Sequence, residues 1–236
     1  GVIRELATKL PENTKILPCE MHGNQITKFV KSPVFEHNPY VYNGEKGVKI
    51  FPLVLNNPQA NYCKLDTPTY TKQRYDKHMI AQMCEVYGIK NPEIQCEMFF
   101  TEEERDQVNK ILEKEGVEKK YIVIEPHSKE NYTPNRKYCF KKWQKVVDYL
   151  NNKIQFVQIG APRSESLEGV VSLVGKISFR EASLVIEKSR LFVSTEGGLA
   201  HAANAVKKKS LIGLDLQKKL PLEDLIITIF KNMMNA

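Results

Sequence analysis

The 236-residue chain has no stretch near the roughly 18 uninterrupted apolar residues that a membrane-spanning helix requires. Its most apolar runs, near 121–126 and 225–230, have the size of a strand or a helical turn, so no transmembrane span is expected. The first residues carry Arg4, Glu5, Lys9, Glu12 and Lys15 among their apolar positions, which leaves no continuous core for a secretory signal and favours a cytoplasmic location. The cysteines Cys19, Cys63, Cys84, Cys96 and Cys139 form no C-x-x-C pair, and neither they nor His37 and His78 have the spacing of metal ligands. Free thiols and no metal site follow. The chain also lacks a P-loop lysine, a Gly-x-Gly-x-x-Gly turn and a nucleophile elbow, which argues against a kinase, an NAD enzyme and a serine hydrolase.

What is present describes a globular protein, with 42% hydrophobic and 27% charged residues. Thirty-five Lys and Arg against twenty-eight Asp and Glu leave a net charge of +7, which favours an anionic or phosphate-bearing partner. The basic residues are spread along the chain with acids between them and show no aromatic-interleaved stripe, so nucleic acid is not the expected partner. Contact with a membrane would be peripheral at most.

The two halves differ in texture. Residues 1–100 hold eight of the twelve prolines and six of the ten tyrosines, with turn signals at Asn38-Pro39, Asn43-Gly44, Asn57-Pro58 and Asn91-Pro92. Apolar periodicity predicts a helix over 2–10, a weak strand over 14–17 and a helix over 77–87. Thr101-Glu102-Glu103-Glu104 then forms a capping box opening a helix that runs to about 115. From there strands over 121–125, 155–159, 191–194 and 210–214 alternate with helices over 140–150, 179–188, 199–206 and 222–234. The first of these strands is almost wholly apolar, as a parallel strand buried on both faces requires. The series predicts a doubly wound α/β domain over 116–236, preceded by a domain over 1–115. Ligands of such domains sit at the carboxyl ends of strands, beside helix N-termini.

Three loops after strands carry candidate chemistry. Ser194-Thr195-Glu196-Gly197-Gly198-Leu199-Ala200-His201 joins a strand to a helix whose free N–H groups suit a diphosphate. Glu196 can take sugar or ribose hydroxyls there, and His201 can reach a phosphate. Pro126-His127-Ser128-Lys129 through Asn135-Arg136-Lys137-Tyr138 is a polar, cationic loop in which Ser128, Arg136 and Lys137 can hold phosphate oxygens. Gly160-Ala161-Pro162-Arg163-Ser164-Glu165 follows a third strand, where Glu165 can bond a nucleoside hydroxyl. His22 is a weak acid/base candidate.

Taken in order, residues 121–128, Arg136-Lys137-Tyr138 before a helix bearing Trp143, the strand over 156–160, Leu173-Val174-Gly175-Lys176-Ile177-Ser178-Phe179-Arg180-Glu181-Ala182, and Leu191-Phe192-Val193 leading into Glu196-Gly197-Gly198-x-x-His201 resemble glycosyltransferase family 9. These are the ADP-heptose:lipopolysaccharide heptosyltransferases and their relatives. The resemblance implies a GT-B-like α/β fold of two Rossmann-like domains with parallel sheets, and metal-free, inverting transfer of a sugar from a nucleotide diphosphate donor to a carbohydrate acceptor such as lipopolysaccharide core. An ADP-sugar is the favoured donor, with no further cofactor. Glu196, Gly197, Gly198 and His201 fall on the family's donor motif, and Arg136 falls where the family usually has a phosphate-binding lysine. Glu stands for the usual Asp at 196, Gly for Ser/Thr at 197, and Tyr138 for a Trp. The family opens with a strand and a Gly-Asp turn whose Asp is the expected base, whereas Gly1-Val2-Ile3-Arg4 resembles its first helix. The first domain is therefore expected to be incomplete and the catalytic base to lie outside it. A catalytically silent nucleotide-sugar-binding module is the alternative reading.

Overall fold

The computed structural model describes residues 1–57, 78–127 and 138–213, which divide into two compact units, Gly1–Phe99 and Phe100–Ala236.

In the first unit, α1 (Val2–Ala7) buries Ile3 and Leu6, as its apolar spacing predicts, and stops short of Pro11. β1 (Thr14–His22) runs parallel to β3 (Lys49–Val54), with Thr14 opposite Lys49 and Cys19 opposite Val54. The weak strand over 14–17 is thus the start of a nine-residue strand. Its continuation turns back antiparallel into β2 (Gln25–Phe29), giving the sheet order β2-β1-β3. His22 pairs with Gln25 across Gly23-Asn24, and the positive φ of Gly23 (59°) is the backbone state a tight hairpin turn demands. His22 itself is an exposed hairpin residue. Helix α2 (Met79–Val86) supplies Ile80, Met83 and Cys84 to the core formed with Ile3, Leu6, Ile16, Val41 and Leu53.

In the second unit, α3 (Glu102–Lys114) opens with both hydrogen bonds of the expected capping box between Thr101 and Glu104. The sheet has five parallel strands: β4 (Tyr121–Glu125), β5 (Gln155–Gln158), β6 (Val171–Ser172), β7 (Leu191–Thr195) and β8 (Ser210–Gly213), in the order β6-β5-β4-β7-β8. Helices α4 (Phe140–Leu150), α5 (Phe179–Lys188) and α6 (Gly198–Ala205) are the crossovers. The expected helix over 222–234 lies outside the described residues.

The two faces of the sheet can be told apart from β4. Ile122 and Ile124 join Leu191, Val193 and Phe156 in a core closed by Trp143, Val146, Val147 and Leu150 of α4. Tyr121, of opposite parity, donates its hydroxyl to the Val185 carbonyl of α5 at 2.9 Å. The odd-numbered residues of β4 therefore face α5. That helix is fastened to α3 by Arg180, which donates to both Glu104 oxygens at 2.6 and 2.8 Å with its guanidinium 4.8 Å from the Phe100 ring. Arg105 pairs with Glu187 one helical repeat further on.

Candidate functional site

The direction of chain winding reverses between β4 and β7. From β4 the chain builds outward through β5 to β6, then returns along α5 to β7 on the other side of β4. Loops leaving β4 and β7 diverge to opposite faces at that point and open a crevice at the strands' carboxyl ends, where ligands of such sheets bind. All three loops singled out in the sequence start at this edge, after β4, β5 and β7.

Two hydrogen bonds join the loops and two more brace the loop after β5. Thr195, buried at the end of β7, donates its hydroxyl to the His127 carbonyl at 3.0 Å. The His127 ring donates from Nε2 to the Glu165 carbonyl at 2.8 Å, which fixes the proton on that nitrogen because a carbonyl can only accept. The buried Gln158 amide donates to the same carbonyl at 2.8 Å and accepts from the Leu167 N–H at 2.7 Å. The His127 ring also stacks on Phe140 at the start of α4, with centroids 5.2 Å apart. The loop that carries Glu165 is bent by two left-handed residues, Arg163 (φ 71°) and Gly175 (φ 66°). A Cβ on Gly175 would stand 2.9 Å from the Pro162 Cα, so glycine is required there by both conformation and space.

Of the predicted residues, Glu196, Gly197 and Gly198 form the turn into α6, and Gly197 is its N-cap with no side-chain cap. The first N–H groups of α6 therefore have no side-chain acceptor at the cap. Gly197 is fully extended (φ −178°), and a Cβ there would meet nothing within 4 Å, leaving open space over the helix start. Glu196 is half-buried, and His201 is exposed one turn into α6. Glu165 presents an exposed side chain while its carbonyl anchors the loop. Ser128, Arg136 and Lys137 lie outside the described residues.

Residues to which the sequence analysis gave no role are Thr195 and His127, which join the loops, Gln158, which braces the loop after β5, and Glu125. Glu125 ends β4 opposite Ser194 and keeps some exposed surface. Burial alone pushes its carboxyl from the usual 4.5 up to about 8. Among the described residues its side chain makes no hydrogen bond or ion pair. A lone acid closing an apolar strand is the signal that could have found it.

This arrangement, parallel strand order with a reversal, a bracketed loop cluster and an uncapped helix start, defines a doubly wound α/β ligand-binding domain. Comparison with known families then settles the kind. The chain belongs to glycosyltransferase family 9 (heptosyltransferase), whose family model matches residues 62–214. It is similar in structure to the glycosyl transferase family 9 protein of Veillonella parvula, at 15% identity over 76% of this chain and 68% of that one, with a TM-score of 0.58. It is also similar to the ADP-heptose lps heptosyltransferase II of E. coli, at 11% identity over 100% of this chain and 94% of that one, with a TM-score of 0.57. A search of curated proteins gives no match. The protein is thus a transferase of the glycosyltransferase class with the α/β fold of the GT-B heptosyltransferases. No described helix is long and apolar enough to cross a membrane.

Proposed function

We propose that the chain transfers a heptose-like sugar, with inversion, from a nucleotide diphosphate donor, ADP-sugar by preference, to a carbohydrate acceptor such as lipopolysaccharide core. The observation that carries this reading is the hydrogen-bonded bracket Thr195–His127–Glu165, which gathers three loops beside the uncapped start of α6. In the reaction an acceptor hydroxyl oxygen attacks the anomeric carbon, the bond from that carbon to the diphosphate breaks, and the electron pair leaves on the diphosphate. The hydroxyl proton passes to a base that the family supplies from its opening Gly-Asp turn. Charge developing on the diphosphate is met by the N–H groups of Gly198 and its neighbours and by Arg136 and Lys137, with Ser128 donating to a phosphoryl oxygen. Glu196 holds sugar or ribose hydroxyls, Glu165 a nucleoside hydroxyl, and His201 a phosphate. No metal or other cofactor is required, because fixed donors take the charge. The reaction is placed in the cytoplasm, with at most peripheral membrane contact.

The test is calorimetric titration with ADP, UDP, GDP and dTDP, followed by turnover of ADP-heptose with and without a heptose-deficient lipopolysaccharide. Selective binding of one nucleotide, weakened by both Arg136→Ala and Glu196→Ala, together with acceptor-dependent nucleotide release, is the expected result. Binding without turnover identifies a silent binding module; absence of binding refutes the donor site.

A further inference from the structure

Burying a carboxyl group without a partner is costly, and a valine or isoleucine would close β4 at no such cost. Glu125 carries that cost at the strand end where the winding reverses, with no described side chain to satisfy it. Its parity places it with Tyr121 on the α5 face of the sheet rather than among Ile122, Ile124 and Trp143. The α6 helix starts on that same side. Its N-cap Gly197 comes three residues after Ser194, Glu125's partner across the ladder, and the Phe179 ring of α5 lies 3.6 Å from the position of a Gly198 Cβ. The Glu125 carboxyl and the uncapped N–H groups of α6 therefore lie on one face of the sheet, at the carboxyl ends of the neighbouring strands β4 and β7.

We infer that the Glu125 carboxyl binds the diphosphate of a nucleoside diphosphate, donating its own proton to a phosphoryl oxygen. The inference rests on the donor-site reading above. An ionised carboxylate beside an anion site would repel the ligand; a neutral carboxyl adds a donor to it. Burial keeps this group neutral up to about pH 8, and the residue's remaining exposed surface lets a ligand reach it. Among the described residues, charged groups on the neighbouring elements do not enter its ionisation. On α5, Arg180 is held by Glu104, Glu181 caps Ser178 and Glu187 pairs with Arg105. Lys188 ends α5 towards the amino ends of the strands, β7 offers the neutral Ser194 opposite, and Glu196 and His201 flank the start of α6. On β4 Tyr121 is engaged with Val185, and in the loop that leaves it His127 is engaged with Glu165.

The experiment is calorimetric titration of this chain with ADP and with adenosine from pH 6.5 to 9.5, for the wild type, Glu125→Gln and Glu125→Leu. The terminal phosphate of ADP has lost its second proton by about pH 7, so changes above pH 8 report the protein. The wild-type Kd for ADP should rise by up to about tenfold per pH unit above pH 8, since one proton is linked to binding. The Gln variant, which can donate at every pH, should follow no such trend. The Leu variant, which cannot donate, should bind ADP about tenfold more weakly at pH 7, the order of one hydrogen bond to a charged group. Adenosine should bind all three alike. A wild-type Kd for ADP that is flat across this range overturns the inference even if a variant fails to fold, as does an identical trend in the Gln variant. Either result leaves the donor site standing. Failure of ADP, GDP, UDP and dTDP alike to bind the wild type removes the donor site and the inference together.

Discussion

Replacing Glu125 by leucine should stabilise the second unit by an amount that depends on pH. The carboxyl's folded value, about 8, lies above its ordinary value of 4.5, so the folded state holds a proton that the unfolded chain releases. Wild-type stability is then full below about pH 4.5, falls between 4.5 and 8, and is level above. Each unit of separation is worth about 1.4 kcal/mol, so the cost is under about 1 kcal/mol at pH 5, about 3 at pH 7 and about 5 at pH 9. Leucine removes this cost and leaves its apolar burial in place. Trp143, the chain's single tryptophan, is fully buried in the core of this unit, so its fluorescence follows unfolding of the second unit alone. With a urea m-value of about 2 kcal/mol/M, the variant's midpoint should exceed wild type by about 1.5 M at pH 7 and by much less at pH 5. A midpoint difference that is equal at pH 5 and pH 9 would refute the placement of a neutral acid at this strand end.

Other substitutions separate architecture from binding. Gly175→Ala should cost about 2 kcal/mol or more in urea unfolding, because its left-handed φ of 66° and the Pro162 Cα 2.9 Å away both exclude a side chain. Gly197→Ala, extended and with open space around it, should change stability by less than about 0.5 kcal/mol yet weaken nucleotide binding, as read by calorimetry. Thr195→Val leaves the His127 carbonyl without its donor and should lower stability by about 1–3 kcal/mol, whereas Thr195→Ser keeps most of it; equal melting of the two variants would sink the bracket. Arg180→Met removes the ion-pair partner of Glu104 and should cost about 3 kcal/mol, with Trp143 fluorescence as the monitor.

The second unit was legible in the sequence because its strands are buried on both faces. Tyr121–Ile124 and Leu191–Val193 read as apolar runs, the helices between them as amphipathic stripes, and the helix before them by the capping box at Thr101. The first unit was harder to read. β2 is exposed along its whole length, so it shows no apolar alternation, and the prolines at 18 and 52 disguise the paired strands β1 and β3. The two-residue β6 carries too little pattern to be seen. At the site, the strand–turn–helix at Glu196-Gly197-Gly198 could be read from glycine and position. The bracket could not, because it uses the carbonyls of His127 and Glu165, which every residue possesses. Glu125 was counted as the last residue of its strand and given no role, because its burial and lack of a partner show only in the fold.

The strand order also bears on how the protein is made. β4 is the central strand, yet its partner β7 lies about 70 residues downstream, behind β5, β6 and two helices. At a synthesis rate of about 5–20 residues per second, one edge of β4 waits for several seconds after it leaves the ribosome before Leu191 can meet Ile122. During that interval the apolar edge of Tyr121–Glu125 is a template for any passing strand, its own copy on the next ribosome included. The nascent chain, more than the finished fold, is therefore the form in which this edge is open to mispairing.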